Sequence, residues 1–590
     1  MAYELVKIEF CGFGARQLTD GVYFSANIPS SFKAGIKIID LRTAKEIESI
    51  ELSNKFSCGN VYTVLIKNLD MKNKGYLLYG DDNAFVDPYS YLICEAKKGI
   101  FLSVINDGLS PKDFDEDVRL NIPYSESVFY LAHVKGLTKT DESIKKGKGT
   151  FSGLISKADY LKNLGVTAVI LMPIYEFAGS NNYWGFGDAY YFAVKSDYSF
   201  AKNAAFEFKE FVKAYHDKGL EVILLLNFGD NSTTSFILEV CRFYRENYHV
   251  DGFRFVGSSF DISGIYKDPF LKDCKMIFEN VDIRNLSFDI GAKYKHLALI
   301  NDTFLNNTRR FLKGDDDLVP YISYSFRENS NNYGLIRNIT DFRTLTLWDL
   351  VSFNRKHNED NGEDNLDGTN YNFSWNCGEE GISKKVKVNK LRFRQVRNAA
   401  ILSYLCQGAP MIMAGDEVLN SNNGNNNPYC QDNETGWVSW NHDADAISFN
   451  LFLKNLLAFR KKHVVLHQPK ELLLFDYLSC KIPDVSFHGE EAFKMDQTPS
   501  SREFAIMYCG EYSRQYTKET EDSIYIAVNM HWEDRRFTLP YFGKEYKWYL
   551  LYSTDGKTDE SFDENNMISV NKRTFVAKGR TISILVQKKI

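Results

Sequence analysis

Between residues 120 and 480, short apolar runs alternate with helix-length amphipathic stretches, and this alternation limits the fold more than any other feature of the chain. Tyr160-Leu161-Lys162-Asn163-Leu164-Gly165 reads as a helix end closed by glycine. Val166-Thr167-Ala168-Val169-Ile170-Leu171-Met172-Pro173 follows as an apolar strand. The unit recurs as a helix over 204–218, then Gly219, then the strand Glu221-Val222-Ile223-Leu224-Leu225-Leu226. Strands alternating with helices imply a parallel sheet. Over about 350 residues, the closure that fits is a (β/α)8 barrel. Functional side chains then belong at the C-terminal ends of the strands.

The flanks read differently. Residues 1–115 hold short alternating runs, such as Gly21-Val22-Tyr23-Phe24-Ser25-Ala26 and Val61-Tyr62-Thr63-Val64-Leu65-Ile66, punctuated by Gly, Asn and Asp. That pattern predicts a β-sandwich, with Ala84-Phe85-Val86-Asp87-Pro88-Tyr89 as its exit. Residues 485–590 return to β runs, including Ser523-Ile524-Tyr525-Ile526-Ala527-Val528 and Thr581-Ile582-Ser583-Ile584-Leu585-Val586. The expected architecture is α/β: a (β/α)8 barrel over 120–480, an N-terminal β-sandwich, and a C-terminal antiparallel β domain.

Composition excludes several partners. Net charge is −6 over 590 residues and no basic stripe occurs, so nucleic acid is not expected. The ten Cys are scattered without a CxxC, which suggests neither zinc nor redox chemistry. No metal or other cofactor is expected. No apolar run reaches 18 residues, so no membrane span is expected, and the start Met1-Ala2-Tyr3-Glu4-Leu5 is unlike an export signal. The expectation is a cytoplasmic protein with reduced thiols. Aromatic residues make up 15% of the chain, which fits bulky core packing or stacking on sugar rings.

Longer segments carry the functional signal. Tyr130 to Thr138 reads Y-L-A-H-V-K-G-L-T, Asp251 to Val256 reads D-G-F-R-F-V, and Lys275 to Glu279 reads K-M-I-F-E. Asn182-Tyr183-Trp184-Gly185-Phe186 is an aromatic run. Lys356 to Gly381 is rich in Asn, Asp and Gly and too long for a simple turn, and such a loop on a compact barrel is usually functional. Ala414-Gly415-Asp416-Glu417 and the stretch Gly424 to Glu434 complete the set. Together these segments resemble the α-amylase superfamily, glycoside hydrolase family 13, and most of all the isoamylase-type and glycogen-debranching α-1,6-glucosidases. The likeness runs over roughly residues 15–480. It implies that the N-terminal domain is similar to a family 48 carbohydrate-binding module.

Retaining glycosidases need two carboxyl groups about 5–5.5 Å apart, one nucleophile and one acid/base. The resemblance implies where each should lie. The nucleophile position follows D-G-F-R-F and holds Val256. The third carboxylate position, aligned without gaps on Thr346-Leu347-Trp348-Asp349-Leu350, holds Arg343, and the adjacent histidine position holds Phe342. A slip of one or two residues brings in Asp341. After the third strand, Leu225, Gly229 and Asp230 stand where the family has aspartate, asparagine and histidine. The acid/base position keeps Glu279, and Arg254 is also kept. The aromatic platform keeps Tyr183 and Trp184, while Phe186 has lost a hydroxyl. Asn426 and Asn427 are candidate sugar contacts, unless their loop is held rigid by its own Asn–backbone bonds. His133 reads as a core histidine.

In a working site, neighbouring carboxylates make the acid/base a proton donor. Glu279 instead expects Arg254 and Arg343 beside it. A buried Arg without a partner is costly, so an Arg254–Glu279 ion pair is expected. The leading expectation is a catalytically inactive debranching-like protein that binds α-glucan (glycogen, amylopectin or maltooligosaccharide). It could also assemble with an active isoamylase-type subunit, as inactive plant isoamylase homologues do. The alternative is an active α-1,6-glucan hydrolase whose carboxylates are displaced, with Asp230, Asp261 and Asp341 as candidates. A third expectation is a glucan-binding scaffold without a protein partner.

Overall fold

The computed structural model describes residues 3–29, 33–105, 117–179, 181–187, 189–201, 203–229, 232–257, 260–284, 286–288, 295–440 and 442–590. Eight parallel strands close a barrel: β1 (Phe129–Ala132), β2 (Ala168–Leu171), β3 (Glu221–Asn227), β4 (Gly252–Val256), β5 (Lys275–Glu279), β6 (Leu297–Ile300), β7 (Gly334–Arg337) and β8 (Ala409–Met413), with β8 pairing back onto β1. The period of two along each strand divides the side chains. Phe129, Leu131, Ile170, Ile223, Leu225, Ile277 and Met411 fill the barrel interior. The alternate residues Tyr130, Val169, Leu224, Phe253, Phe255 and Phe278 pack outward against the helices. The outer layer includes α1 (Ala158–Leu164), α2 (Ala204–Asp217), α3 (Thr234–Tyr248), α4 (Asp302–Lys313), α5 (Val386–Tyr404) and α6 (Ala444–Lys462). Gly165 ends α1 at φ 104°, a left-handed conformation that glycine adopts without strain.

The N-terminal region forms two antiparallel sheets around Val22, Phe24, Ile36, Ile38, Val64 and Leu78. Strands Leu92–Lys97 and Ile100–Val104 still join the second sheet, and Ala84 and Phe85 end a short strand of it, so Ala84 to Tyr89 lies within the sandwich and is not its exit. That segment is pinned instead. Asp87 is buried, and its carboxylate accepts hydrogen bonds from the Tyr76 hydroxyl at 2.7 Å and the Tyr89 backbone N–H at 2.9 Å. Tyr89 then stacks on Phe192, tying the sandwich to the barrel. The C-terminal region is a six-stranded sheet with a two-stranded ribbon, Arg535–Thr538 and Thr574–Ala577, beside it. Among the described residues no helix is long and apolar enough to cross a membrane, and no cluster of His, Cys, Asp and Glu is arranged to hold a metal.

One buried charge supports the barrel at the end opposite the strand C-termini. His216, near the end of α2, contacts Asp117 and Asp251 at 2.8 Å each, and Asp251 also accepts the Val222 N–H. Burial alone would lower the imidazole pKa, but the two carboxylates outweigh it and hold it up at about 10. The unfolded imidazole has a pKa near 6.5, so this contribution is full below about 6.5 and is lost as pH rises through about 10. His216→Ala is expected to cost about 3–5 kcal/mol near pH 6. The Tm gap to wild type should narrow steadily between about pH 7 and pH 10; a gap that stays constant with pH contradicts this role.

Candidate functional site

The C-terminal ends of β3, β4 and β5 and the segment after β7 surround a cavity of about 1400 Å³. Val256 is the last residue of β4, 4% exposed, and lines the cavity floor. It lies one step past the paired residues Phe255 and Phe278, so Glu279 is its neighbour on β5. Leu225 faces Arg254 across the β3–β4 register and is fully buried in the barrel interior, beneath the floor. Asp230 lies outside the described residues.

Arg254 organises the site. Its side chain is 0% exposed. Its Nε donates to Glu279 Oε1 at 2.8 Å and its Nη2 donates to the same oxygen at 2.5 Å. The same Nη2 reaches Asp341 Oδ2 at 2.5 Å. Burial disfavours the guanidinium charge, but Asp341 and Glu279 hold its pKa above the ordinary arginine value. Arg343 donates to the second oxygen, Glu279 Oε2. The result is a chain of alternating charge, Arg343–Glu279–Arg254–Asp341, in which two cations meet two anions. Both guanidinium groups also lie over the Phe342 ring, at 5.3 and 4.8 Å from its centroid.

The ambiguity around the third carboxylate resolves into two separate places. Arg343 stands on the cavity wall with 45% of its side chain exposed. Asp341 points inward and is 6% exposed; its Oδ1 accepts the Phe342 N–H, and it is not among the cavity-lining residues. Asp261 lines the cavity rim, where its carboxylate caps the short helix Ile262–Tyr266 by accepting the Gly264 N–H. His133 is buried: its Nδ1 accepts the Gly136 N–H, and its Nε2 meets the Tyr183 carbonyl at 2.9 Å. Burial pushes its pKa down to about 4.

The aromatic platform is partly as expected. Trp184 and Phe186 line the cavity and pack edge-on against Phe342. Tyr183 does not line it, because its ring sits on His133 and its hydroxyl donates to the Gly436 carbonyl. Sequence reasoning missed Phe228 and Phe260 on the cavity wall, and within the stretch Gly424 to Glu434 it named Asn426 and Asn427 but not Tyr429, which also lines it. Phe228 directly follows β3, so reading the residue after each strand end would have found it.

A family profile described as "Alpha amylase, catalytic domain" matches residues 138–237. Isoamylase 1, chloroplastic, of Arabidopsis thaliana is 30% identical over 76% of this chain and 74% of its own length. The chain belongs to the isoamylase-type, debranching branch of glycoside hydrolase family 13. Isoamylase 1, chloroplastic, of Oryza sativa subsp. japonica is 29% identical over 88% of this chain and 78% of its own length. The solved pullulanase of Paenibacillus barengoltzii, in complex with maltohexaose and alpha-cyclodextrin, superposes with a TM-score of 0.71 at 17% identity, covering 98% of this chain and 95% of that one.

In this debranching-type barrel the two Asn-rich loops hold each other. The Asn358 and Asn426 side chains are bonded at 2.9 Å, and Asn426 also donates to the Thr369 carbonyl and to Asn372 Oδ1. Asn426 is fully buried with its amide committed, which removes it as a sugar contact. A side chain that already satisfies both of its groups internally has none left for a ligand. Asn427 does line the cavity, although its Nδ2 donates to Asp367. Asp349 anchors the pair of loops, accepting from Ser421, Asn422 and Gly424, and burial pushes its pKa up to about 6.

Proposed function

We propose that this debranching-family chain does not hydrolyse glucan, and that it binds α-glucan at the barrel mouth, alone or as partner of an active isoamylase-type subunit. One observation carries the reading: the position beside Glu279, at the end of β4, is occupied by Val256, and both oxygens of Glu279 already accept arginine N–H groups. A valine cannot attack an anomeric carbon. An acid/base with no free oxygen cannot reach a glycosidic oxygen without breaking an ion pair.

Binding is supported by the cavity wall. Phe186 and Tyr429 offer partly exposed rings for the apolar faces of pyranose rings, with the buried Trp184 packed against both, and Asn280 and Asn427 stand beside them. Aromatic walls with a few convergent polar groups are the usual composition of a ligand site. The neighbouring pullulanase was solved with maltohexaose, which favours the same ligand class here. Affinity electrophoresis in gels containing glycogen or amylopectin tests this. Retardation is expected, with Phe186→Ala weakening it roughly 10-fold, about 1.4 kcal/mol of lost stacking. Unretarded wild-type protein removes the glucan-binding half and leaves the partner half.

A second reading, active hydrolysis with a displaced nucleophile, has one observation in its favour. Glu279 Oε1 and Asp341 Oδ2 share one nitrogen of Arg254, which puts them within about 5 Å of each other, near the separation of a retaining pair. It is disfavoured because the guanidinium stands between them and Asp341 does not face the cavity.

A further inference from the structure

At the end of the barrel opposite the mouth, charge is unevenly shared. A cavity of about 210 Å³ lies between the end of α1 and the last turns of α6, beside Val128 and Thr167 at the entries to β1 and β2. The two helices approach closely there, since a Cβ on Gly165 would stand 3.3 Å from Leu457 Cβ. Lys162 from α1 and Lys454, Arg460 and Lys461 from α6 line the cavity. Among the described residues none of these four cations forms an ion pair; Lys162 donates to the Gly219 carbonyl and Arg460 to the Gly408 carbonyl. Glu126 is the one carboxylate on the wall, and its side chain is 48% exposed. This excess of positive charge stands on a chain whose net charge is −6.

Two buried side chains on the same wall have nitrogens to spare. Arg460 is buried, and its Nε has no hydrogen-bond partner. His467 is buried with neither ring nitrogen bonded; its Nδ1 comes no nearer than 4.0 Å to Glu126 Oε1. The Lys461 and Ser125 main chains lie close to the ring without completing a bond. Buried donors without acceptors are rare and costly. Burial, and then the Arg460 charge, push the imidazole down to about 3, so at neutral pH it is uncharged and keeps one N–H to donate. Burial lowers Arg460 to about 10, which leaves it charged. Lys162 is lowered by burial and by the like charge of Lys461, as expected of cations gathered without a counter-charge.

We propose that this cavity binds a phosphate group, as the free ion or carried on a small sugar, and that the anion ties α1 to α6. A concave wall of one charge sign concentrates ions of the other. Phosphate suits this set because its oxygens accept on all sides, from the planar donors of an arginine and from lysine ammonium groups alike. At about 30 Å³ per water, the cavity has room for the four oxygens of phosphate and for a small substituent. Glu126, half exposed and unbonded to the lysines, is free to turn toward solvent as the anion enters. The site lies at the N-terminal ends of the strands, so it fills independently of the cavity at the barrel mouth and does not rest on glucan binding there.

Equilibrium dialysis of the native full-length chain against radiolabelled orthophosphate, with ionic strength held constant by sodium chloride, tests the proposal. Saturable binding of a single phosphate per chain is expected. Lys454→Glu combined with Lys461→Glu reverses two exposed charges that hold no partner in the fold, and should weaken binding on the order of 10-fold or more. Thermal unfolding should show Tm rising with phosphate concentration for the wild type and much less for the double variant. Glucose 1-phosphate and orthophosphate are then compared as competitors. Stronger displacement by the sugar phosphate assigns the site to a sugar-borne phosphate, and displacement by orthophosphate alone assigns it to the free ion. No binding above the blank, or binding that the double variant keeps in full, overturns the proposal.

Discussion

Arg254→Met is expected to lower Tm by roughly 3–7 °C, the largest stability loss of any single substitution at the barrel mouth. Methionine fills much of the same volume, so the loss comes from charge. Without the guanidinium, Asp341 keeps one backbone donor on Oδ1 and none on Oδ2, in a place that is 6% exposed. Glu279 keeps only its contact with Arg343. Removing one partner of a buried ion pair typically costs about 3–5 kcal/mol, because the other charge stays buried and uncompensated. Replacing the whole set is a different matter, since buried ion pairs are often matched by neutral groups. The triple substitution Arg254→Met, Glu279→Gln, Asp341→Asn should therefore recover most of the loss, measured by thermal unfolding. An Arg254→Met protein within about 1 °C of wild type would show that the charge chain is not what holds this region together.

The second large effect concerns catalysis. Breaking a catalytic set reduces rate on the order of 10⁶-fold, and its members fail as a unit. Val256→Asp puts a carboxyl beside Glu279, which by spacing alone would restore a retaining pair. It should still give no measurable hydrolysis, because Arg343 and Arg254 continue to occupy both oxygens of Glu279. Slow release of reducing ends is expected only when Val256→Asp is combined with Arg343→Asp, which frees Glu279 Oε2 and returns a carboxylate to the cavity wall. Activity from Val256→Asp alone would mean that the arginine contacts do not restrain Glu279.

The barrel was legible because its signal is periodic. Strands β2 and β3 and helices α1 and α2 sit where the alternation of apolar and amphipathic runs places them. The β4 and β5 motifs were equally readable, since a strand end fixes which residue faces the mouth. The segment after β7 has no period, and there the sequence could not separate Asp341 from Arg343. The two share one turn of chain and point to opposite sides of Arg254 and Glu279. Asn426 misled for a related reason: an amide-rich loop reads alike whether its amides face a sugar or a second amide-rich loop. Tyr183 was placed on the platform by its motif, but packing on His133 turns it away from the cavity.

The central claim, a debranching-type barrel that binds but does not cut, is tested most directly by reducing-end release. Purified full-length protein is incubated with glycogen and with amylopectin, alongside Glu279→Gln and Asp341→Asn. The expected result is no release above the buffer blank from any of the three proteins. Clear release by the wild type that disappears in Glu279→Gln would contradict it, and disappearance in Asp341→Asn as well would identify Asp341 as the displaced nucleophile.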